Sequence, residues 1–186
     1  VNDDAIYIQA VITGDNEAYR SLVQKYEVEM SRLMWRFTRD QAVCERLVQD
    51  VFVEAFFNLK SYRGKAPFIQ WLKTIGTRIG YRFWKEQNKS MQCISLWDEQ
   101  CGTLTSHKPM LPCETAEIVH LLLARLSVSD RLVLTLMYFD HCDTAEIARR
   151  MGWSRAAVKM RAMRARNRLR KIAENGSFLE KLGWIS

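Results

Sequence analysis

Apolar residues recur at intervals of three and four through almost the whole chain, and hardly any run alternates with the two-residue period of a strand. Such a pattern buries its apolar stripe by packing helix on helix, which predicts an all-α fold. Punctuation is sparse. There are 8 Gly and 3 Pro in 186 residues, and Pro109 and Pro112 fall together in a polar stretch, 100–112, without helical period. The expected organisation is two helical domains, 1–91 and 114–175, joined by a flexible linker at 92–113 and followed by a tail at 176–186.

Composition bounds the function. A content of 48% hydrophobic and 26% charged residues is that of a globular chain. The longest purely apolar stretches, such as Leu121–Ala124, fall far short of the roughly 20 residues that span a bilayer. The chain opens with Asp3 and Asp4 rather than an apolar signal core, so a cytoplasmic location is expected. Five cysteines, an odd number, fit reduced thiols better than a disulfide framework. The net charge of +7 is carried by the two domain blocks rather than the linker, and it favours a polyanionic partner, nucleic acid first.

In the first block the pattern gives a short helix near 4–13 and a long one capped by Asn16, with Tyr19, Leu22, Val23, Tyr26, Met30, Leu33, Met34 and Phe37 facing inward. A third helix, after a turn at 39–41, buries Val43, Leu47, Val48, Val51, Phe52, Ala55, Phe56 and Leu59. Ser61 to Pro67 reads as a loop, and Pro67 suits the first position of a fourth helix running to about Lys89. That helix has an apolar stripe of Phe68, Leu72, Ile75, Ile79 and Phe83. Arg78, Arg82, Lys85 and Lys89 recur on another face, at spacings where like charges repel unless a polyanion neutralises them. With ring faces from Trp71, Tyr81 and Trp84, and with Arg63, Gly64 and Lys65 in the preceding loop, this suits capture of a single strand.

The second block predicts helices near 114–126, 129–139, 144–151 and 155–174, with Ser129, Asp143 or Thr144, and Ser154 as caps. Residues 144–159 carry a helix-turn-helix pattern, in which Ala148, Gly152 and Val158 occupy the small-residue, turn and packing positions. From Arg155 to Lys171, 17 residues hold 8 Lys or Arg and no acid. In a major groove, Ser154, Arg155, Ala156 and Lys159 meet base edges, while Arg161, Arg164 and Arg166 meet phosphates. Met30, Met34, Met137, Met151, Met160 and Met163 read as core by their spacing; Trp35 and Trp153 read as core as well, with a backbone contact beside the recognition helix as the alternative for Trp153.

Both halves resemble the small bacterial sigma factors of extracytoplasmic-function type. Leu47 to Phe52, Tyr62-Arg63-Gly64, Phe68, Trp71-Leu72 and Ile75 are similar to the second sigma region of that family. Leu126-Ser127, Asp130-Arg131, Leu134, Ala145 to Ala148, Val158-Lys159 and Arg164 to Arg166 are similar to the fourth. Arg46 and Arg82 depart from it, standing where the family commonly has acids. The resemblance implies a dissociable specificity subunit of RNA polymerase made of a four-helix region 2 domain and a helix-turn-helix region 4 domain. It also implies partners: core polymerase through its clamp helices and flap, promoter DNA in double- and single-stranded form, and an anti-sigma factor. Gln49, Asp50 and Glu54 are then the expected polymerase contacts. The 63–67 loop with the fourth helix (Arg63, Gly64, Lys65, Trp71, Arg78, Arg82, Lys85, Lys89) is expected at the −10 element, and the last helix at the −35 element.

Two other readings stand beside it. A stand-alone helix-turn-helix regulator explains 144–171 equally well and differs in not needing polymerase. A metal or thiol site built from Cys93, Cys101, His107 and Cys113, near His141 and Cys142, has spacings of x7, x5 and x5 that match no tight zinc knuckle. No glycine-rich phosphate loop, H-E-x-x-H or G-x-S-x-G is present, so no enzyme activity, no cofactor and no small-molecule substrate are expected. His120, within an apolar helical run, reads as a packing histidine.

Overall fold

The computed structural model describes residues 3–101 and 115–174, with side chains for 4–90, 119–172 and 174. Every regular element among them is helical. By the density of internal contacts the chain divides into two compact units, Val1–Trp84 and Lys85–Ser186.

The first unit is built from α1 (Asp3–Ile12), α2 (Asn16–Met34), α3 (Gln41–Asn58), a 3-10 turn (Leu59–Ser61) and the start of α4 (Phe68–Cys101). Asp15, not Asn16, caps α2: its Oδ1 accepts from the backbone N–H of Glu17 at 2.9 Å and Ala18 at 3.3 Å. Asp40 caps α3 in the same way through the Val43 N–H at 3.0 Å. Leu22, Met30, Met34, Val51, Phe68 and Leu72 are fully buried, and the whole α4 stripe of Phe68, Leu72, Ile75, Ile79 and Phe83 lies in the core. Phe56, expected there too, is 41% exposed. Asp4 is buried on α1, where its carboxylate accepts from Lys25 Nζ and the Tyr26 hydroxyl of α2, each at 2.6 Å. A charge taken out of water is tolerable only with such partners.

Two boundaries differ from the sequence reading. Helix α4 begins at Phe68, with the Pro67 carbonyl accepting from Gln70 and Trp71, so the proline sits one position before the helix. It also continues past Lys89 to Cys101. No Gly or Pro interrupts 81–101, and nothing in that stretch stops propagation.

The second unit contains α5 (Thr115–Ala124), α6 (Val128–Tyr138), α7 (Thr144–Met151) and α8 (Arg155–Glu174). Ser127 rather than Ser129 caps α6, its hydroxyl accepting from the Asp130 N–H at 3.3 Å. Leu132, Val133, Leu136, Ile147 and Val158 are fully buried. Leu123, Leu126, Leu134 and Ala165 form a cluster closed by Val119, Phe139 and Leu169. His120 is half-buried and stacks on Phe139, with ring centroids 6.3 Å apart. Residues 176–186 and the side chains of Cys93, Cys101, His107 and Cys113 lie outside the described residues.

Candidate nucleic-acid interface

The turn between α7 and α8 is the sharpest local feature. Asp143 accepts from the Glu146 N–H at 2.7 Å and starts α7; Gly152, at φ +69°, ends it in the left-handed conformation that glycine adopts without strain. The Trp153 N–H returns to the Ala148 carbonyl at 2.9 Å, and Ser154 Oγ accepts from the Ala157 N–H at 3.1 Å to start α8. Buried Ile147, Ala148 and Val158 fix the two helices against each other. This is the geometry of a helix-turn-helix, with the N-terminus of α8 free to enter a groove.

Along α8, Ser154, Arg155, Ala156, Lys159, Arg164 and Arg166 are exposed, as expected of groove and phosphate contacts. Their partners separate them. Arg164 donates to Asp130 Oδ1 at 3.3 Å, and Arg166 Nε donates to the Ala162 carbonyl at 3.2 Å. Arg161 is only half-exposed, its guanidinium carbon 4.2 Å from the centre of the Trp153 ring. Met160 and Met163, expected in the core, are instead 53% and 49% exposed. At 100° per residue they share the arc of Ala156 and Lys159, which sequence spacing read as inward.

In the first unit, the loop before α4 is tied at its base. The Tyr62 hydroxyl donates to the Ala66 carbonyl at 2.6 Å, and the Tyr62 ring packs on Phe68 and Trp71 with centroids 5.5 and 5.4 Å away. Arg63, Gly64 and Lys65 are left exposed at its tip, Gly64 at φ +67°. Trp71 is half-buried in this aromatic cluster. Arg78, Arg82, Lys85 and Lys89 are exposed along α4, about one turn apart and on the arc of Trp71.

Trp84, by sequence a candidate ring for stacking bases, is instead 2% exposed, packs on Phe37 with centroids 4.6 Å apart and donates its indole N–H to the Phe37 carbonyl at 2.7 Å, so it belongs to the core. Trp35, read as core, is 39% exposed, with the Arg39 guanidinium 5.8 Å from its ring centre.

On α3, Gln49 and Asp50 are exposed, and Glu54 is half-buried in an ion pair with Arg82 at 3.1 Å. Sequence reasoning missed what lies beside them: Val53 is 54% and Phe57 77% exposed, next to the partly exposed Phe56. The i, i+4, i+7 and i+8 spacing from Gln49 puts them on one face, where apolar side chains are left in water.

No group of three or more metal-binding side chains occurs among the described residues. Burial pushes the Cys142 thiol up to about 11 and also raises Cys44, so neither is an activated nucleophile. No helix among the described residues is long and apolar enough to cross a membrane.

Two helical units, one presenting a cationic helix beside an aromatic-based loop and the other a helix-turn-helix, define a two-part DNA-binding protein. Sigma-70 region 2 matches residues 22–90, and Sigma-70, region 4, matches residues 116–169. The chain is 26% identical over 173 residues to the ECF RNA polymerase sigma-E factor of Escherichia coli K12, covering 88% of this chain and 90% of that one. It is 25% identical over 181 residues to the RNA polymerase sigma-H factor of Pseudomonas aeruginosa, covering 92% and 94%. Its fold is similar to that of CnrH, solved in complex with the cytosolic domain of CnrY (TM-score 0.57, 22% identity, 92% and 97% covered). It is also similar to the sigma factor RpoE of Bartonella quintana, solved with the anti-sigma factor NepR (TM-score 0.58, 19% identity, 84% and 96% covered). The chain belongs to the sigma-70 family, as a sigma factor of the extracytoplasmic-function type. It is a non-catalytic subunit that directs RNA polymerase to promoters.

Proposed function

We propose that residues 114–175 read the −35 element as duplex and residues 1–91 capture the −10 element as it opens, with 92–113 spanning the two. The observation that carries this reading is α8, whose N-terminus stands clear of the glycine turn with Arg155, Ala156 and Lys159 exposed and no acid before Glu174. Those three side chains with Ser154 meet base edges, and Arg166 meets phosphate. Arg63, Gly64 and Lys65 line the pocket for a displaced base, Trp71 walls it, and Arg78, Arg82, Lys85 and Lys89 track the strand backbone. Gln49, Asp50 and Glu54, with Val53, Phe56 and Phe57, dock on the clamp helices of core polymerase, while the helix-turn-helix unit contacts its flap. An anti-sigma factor holds the protein inactive. Support for that partner comes from the two solved relatives, one bound to an anti-sigma factor and the other to a cytosolic domain.

The test is run-off transcription from a library of promoter fragments, comparing bacterial core polymerase alone with core plus this protein. Initiation that needs the protein and selects two spaced elements is the expected result. A protein that ignores core and binds a palindromic duplex as a dimer is a stand-alone regulator, and that outcome replaces this reading.

A further inference from the structure

The basic run of α8 invites every arginine in it to be counted as a phosphate contact, but helix geometry divides them. At 100° per residue, Arg161 stands about 200° from Lys159, on the far side of α8 from the arc of Arg155, Ala156, Lys159 and Arg166. Its guanidinium lies 4.2 Å from the centre of the Trp153 ring, and its Nε is buried without a hydrogen-bond acceptor. A guanidinium that gives up hydration for an indole face is held by that face. Trp153 is no ordinary neighbour. It lies between Gly152, whose φ of +69° makes the turn, and Ser154, whose hydroxyl starts α8, and its own N–H is bonded to the Ala148 carbonyl at 2.9 Å.

We propose that Arg161 is a positioning residue that acts through Trp153: the guanidinium–indole stack clasps the turn to the second helical turn of α8 and sets the angle at which Arg155, Ala156 and Lys159 meet the bases. Arg161 itself touches no phosphate. The inference rests on the reading of α8 as the −35 helix. It assigns sequence selectivity to a pair of residues of which neither faces the groove.

The two roles differ in salt dependence and in selectivity. A phosphate contact contributes about 0.9 to the slope of log affinity against log salt, whatever the sequence. A positioning stack contributes nothing to that slope and acts on the ratio between the correct −35 element and a scrambled one. Holoenzyme reconstituted from core polymerase and full-length protein is titrated onto promoter fragments with the selected or the scrambled −35 element, from about 50 to 200 mM salt. Arg161→Ala should lower the selected-to-scrambled ratio by between about 2-fold and 30-fold, the span of a cation–π contact, with the wild-type slope retained. Trp153→Ala should lower it comparably, and the double variant should be no worse than the more affected single one.

Where Arg161→Ala lowers thermal stability below the assay temperature, Trp153→Phe, which keeps a ring under the guanidinium, takes its place with a smaller loss of ratio. An equal loss on both fragments with a slope shallower by about 0.9 makes Arg161 a phosphate contact and overturns the proposal. So does an unchanged ratio, or additive losses in the double variant. A wild-type holoenzyme that fails to discriminate the two fragments removes the −35 reading itself, and this inference with it.

Discussion

At the scale of single residues, two glycines of α4 pack closely against the end of α2 and the turn that follows it. A Cβ on Gly80 would lie 2.4 Å from the Phe37 ring, a ring held in turn by buried Trp84. A Cβ on Gly76 would lie 2.9 Å from Leu33 Cδ2, the free end of a side chain that can rotate. Both glycines are inside a helix, where alanine alone would be favoured by about 1 kcal/mol. At Gly76 the two effects nearly offset. At Gly80 the ring cannot yield, and overpacking costs about 2–3 kcal/mol, the upper part of its usual range, before the propensity gain is set against it. Gly80→Ala should therefore lower unfolding stability by about 1–2 kcal/mol in urea titration, and Gly76→Ala should change it by less than half as much. Phe37→Leu in the Gly80→Ala background should recover part of the loss. An equal effect of the two alanines would place the constraint elsewhere than in the ring.

At the scale of elements, the helix-turn-helix depends on one backbone conformation. A Cβ on Gly152 would meet nothing within 4 Å, so a substitution there tests φ alone. Gly152→Ala should cost about 1–2 kcal/mol, the penalty of a left-handed L-residue, and Gly152→Asn distinctly less, because asparagine tolerates that region. Urea unfolding of the two variants checks the order, and a greater loss for asparagine would mean that space, not φ, is limiting. This element was legible in the sequence because its signals are local: Asp143 starts a helix, Gly152 turns the chain, and Ala148 and Val158 fall at packing positions. The buried stripe of α4 was legible for the same reason. The misreadings share a different cause. Trp84 is read from its residue type and Met160 and Met163 from their helical spacing, whereas their burial depends on which neighbouring helix covers which arc. Asp15 and Ser127 displaced Asn16 and Ser129 as caps because a candidate one or two residues earlier makes the bond. The α8 arginines were read as charge in a window, and the pairing of Arg161 with Trp153 and of Arg164 with Asp130 is written in no window.

At the scale of the whole molecule, each unit closes its own core, and this shapes both function and stability. The two DNA sites proposed above, carried on one chain, would gain affinity through effective concentration, so neither need bind tightly alone. A net charge of +7 adds non-specific attraction that salt removes. The thermodynamic counterpart is that a single unfolding free energy does not describe such a chain. Leu72 in the first unit and Ile147 in the second are both fully buried. Truncating either to alanine deletes buried methyl groups and leaves a cavity, at a cost of about 2–5 kcal/mol. In a unit of this size, 1 kcal/mol moves the midpoint by about 4–8 °C, so each variant should shift its own transition by roughly 10 °C or more. Calorimetry of the full chain should resolve two transitions, with Leu72→Ala lowering one and Ile147→Ala the other, and the double variant lowering both by the same amounts. If each substitution instead lowers one common transition, the two cores unfold as a single cooperative body. The two units proposed to read the −10 and −35 elements would then be mechanically joined rather than tethered, and a spacer altered by one base pair would be penalised by strain in the protein as well as in the DNA.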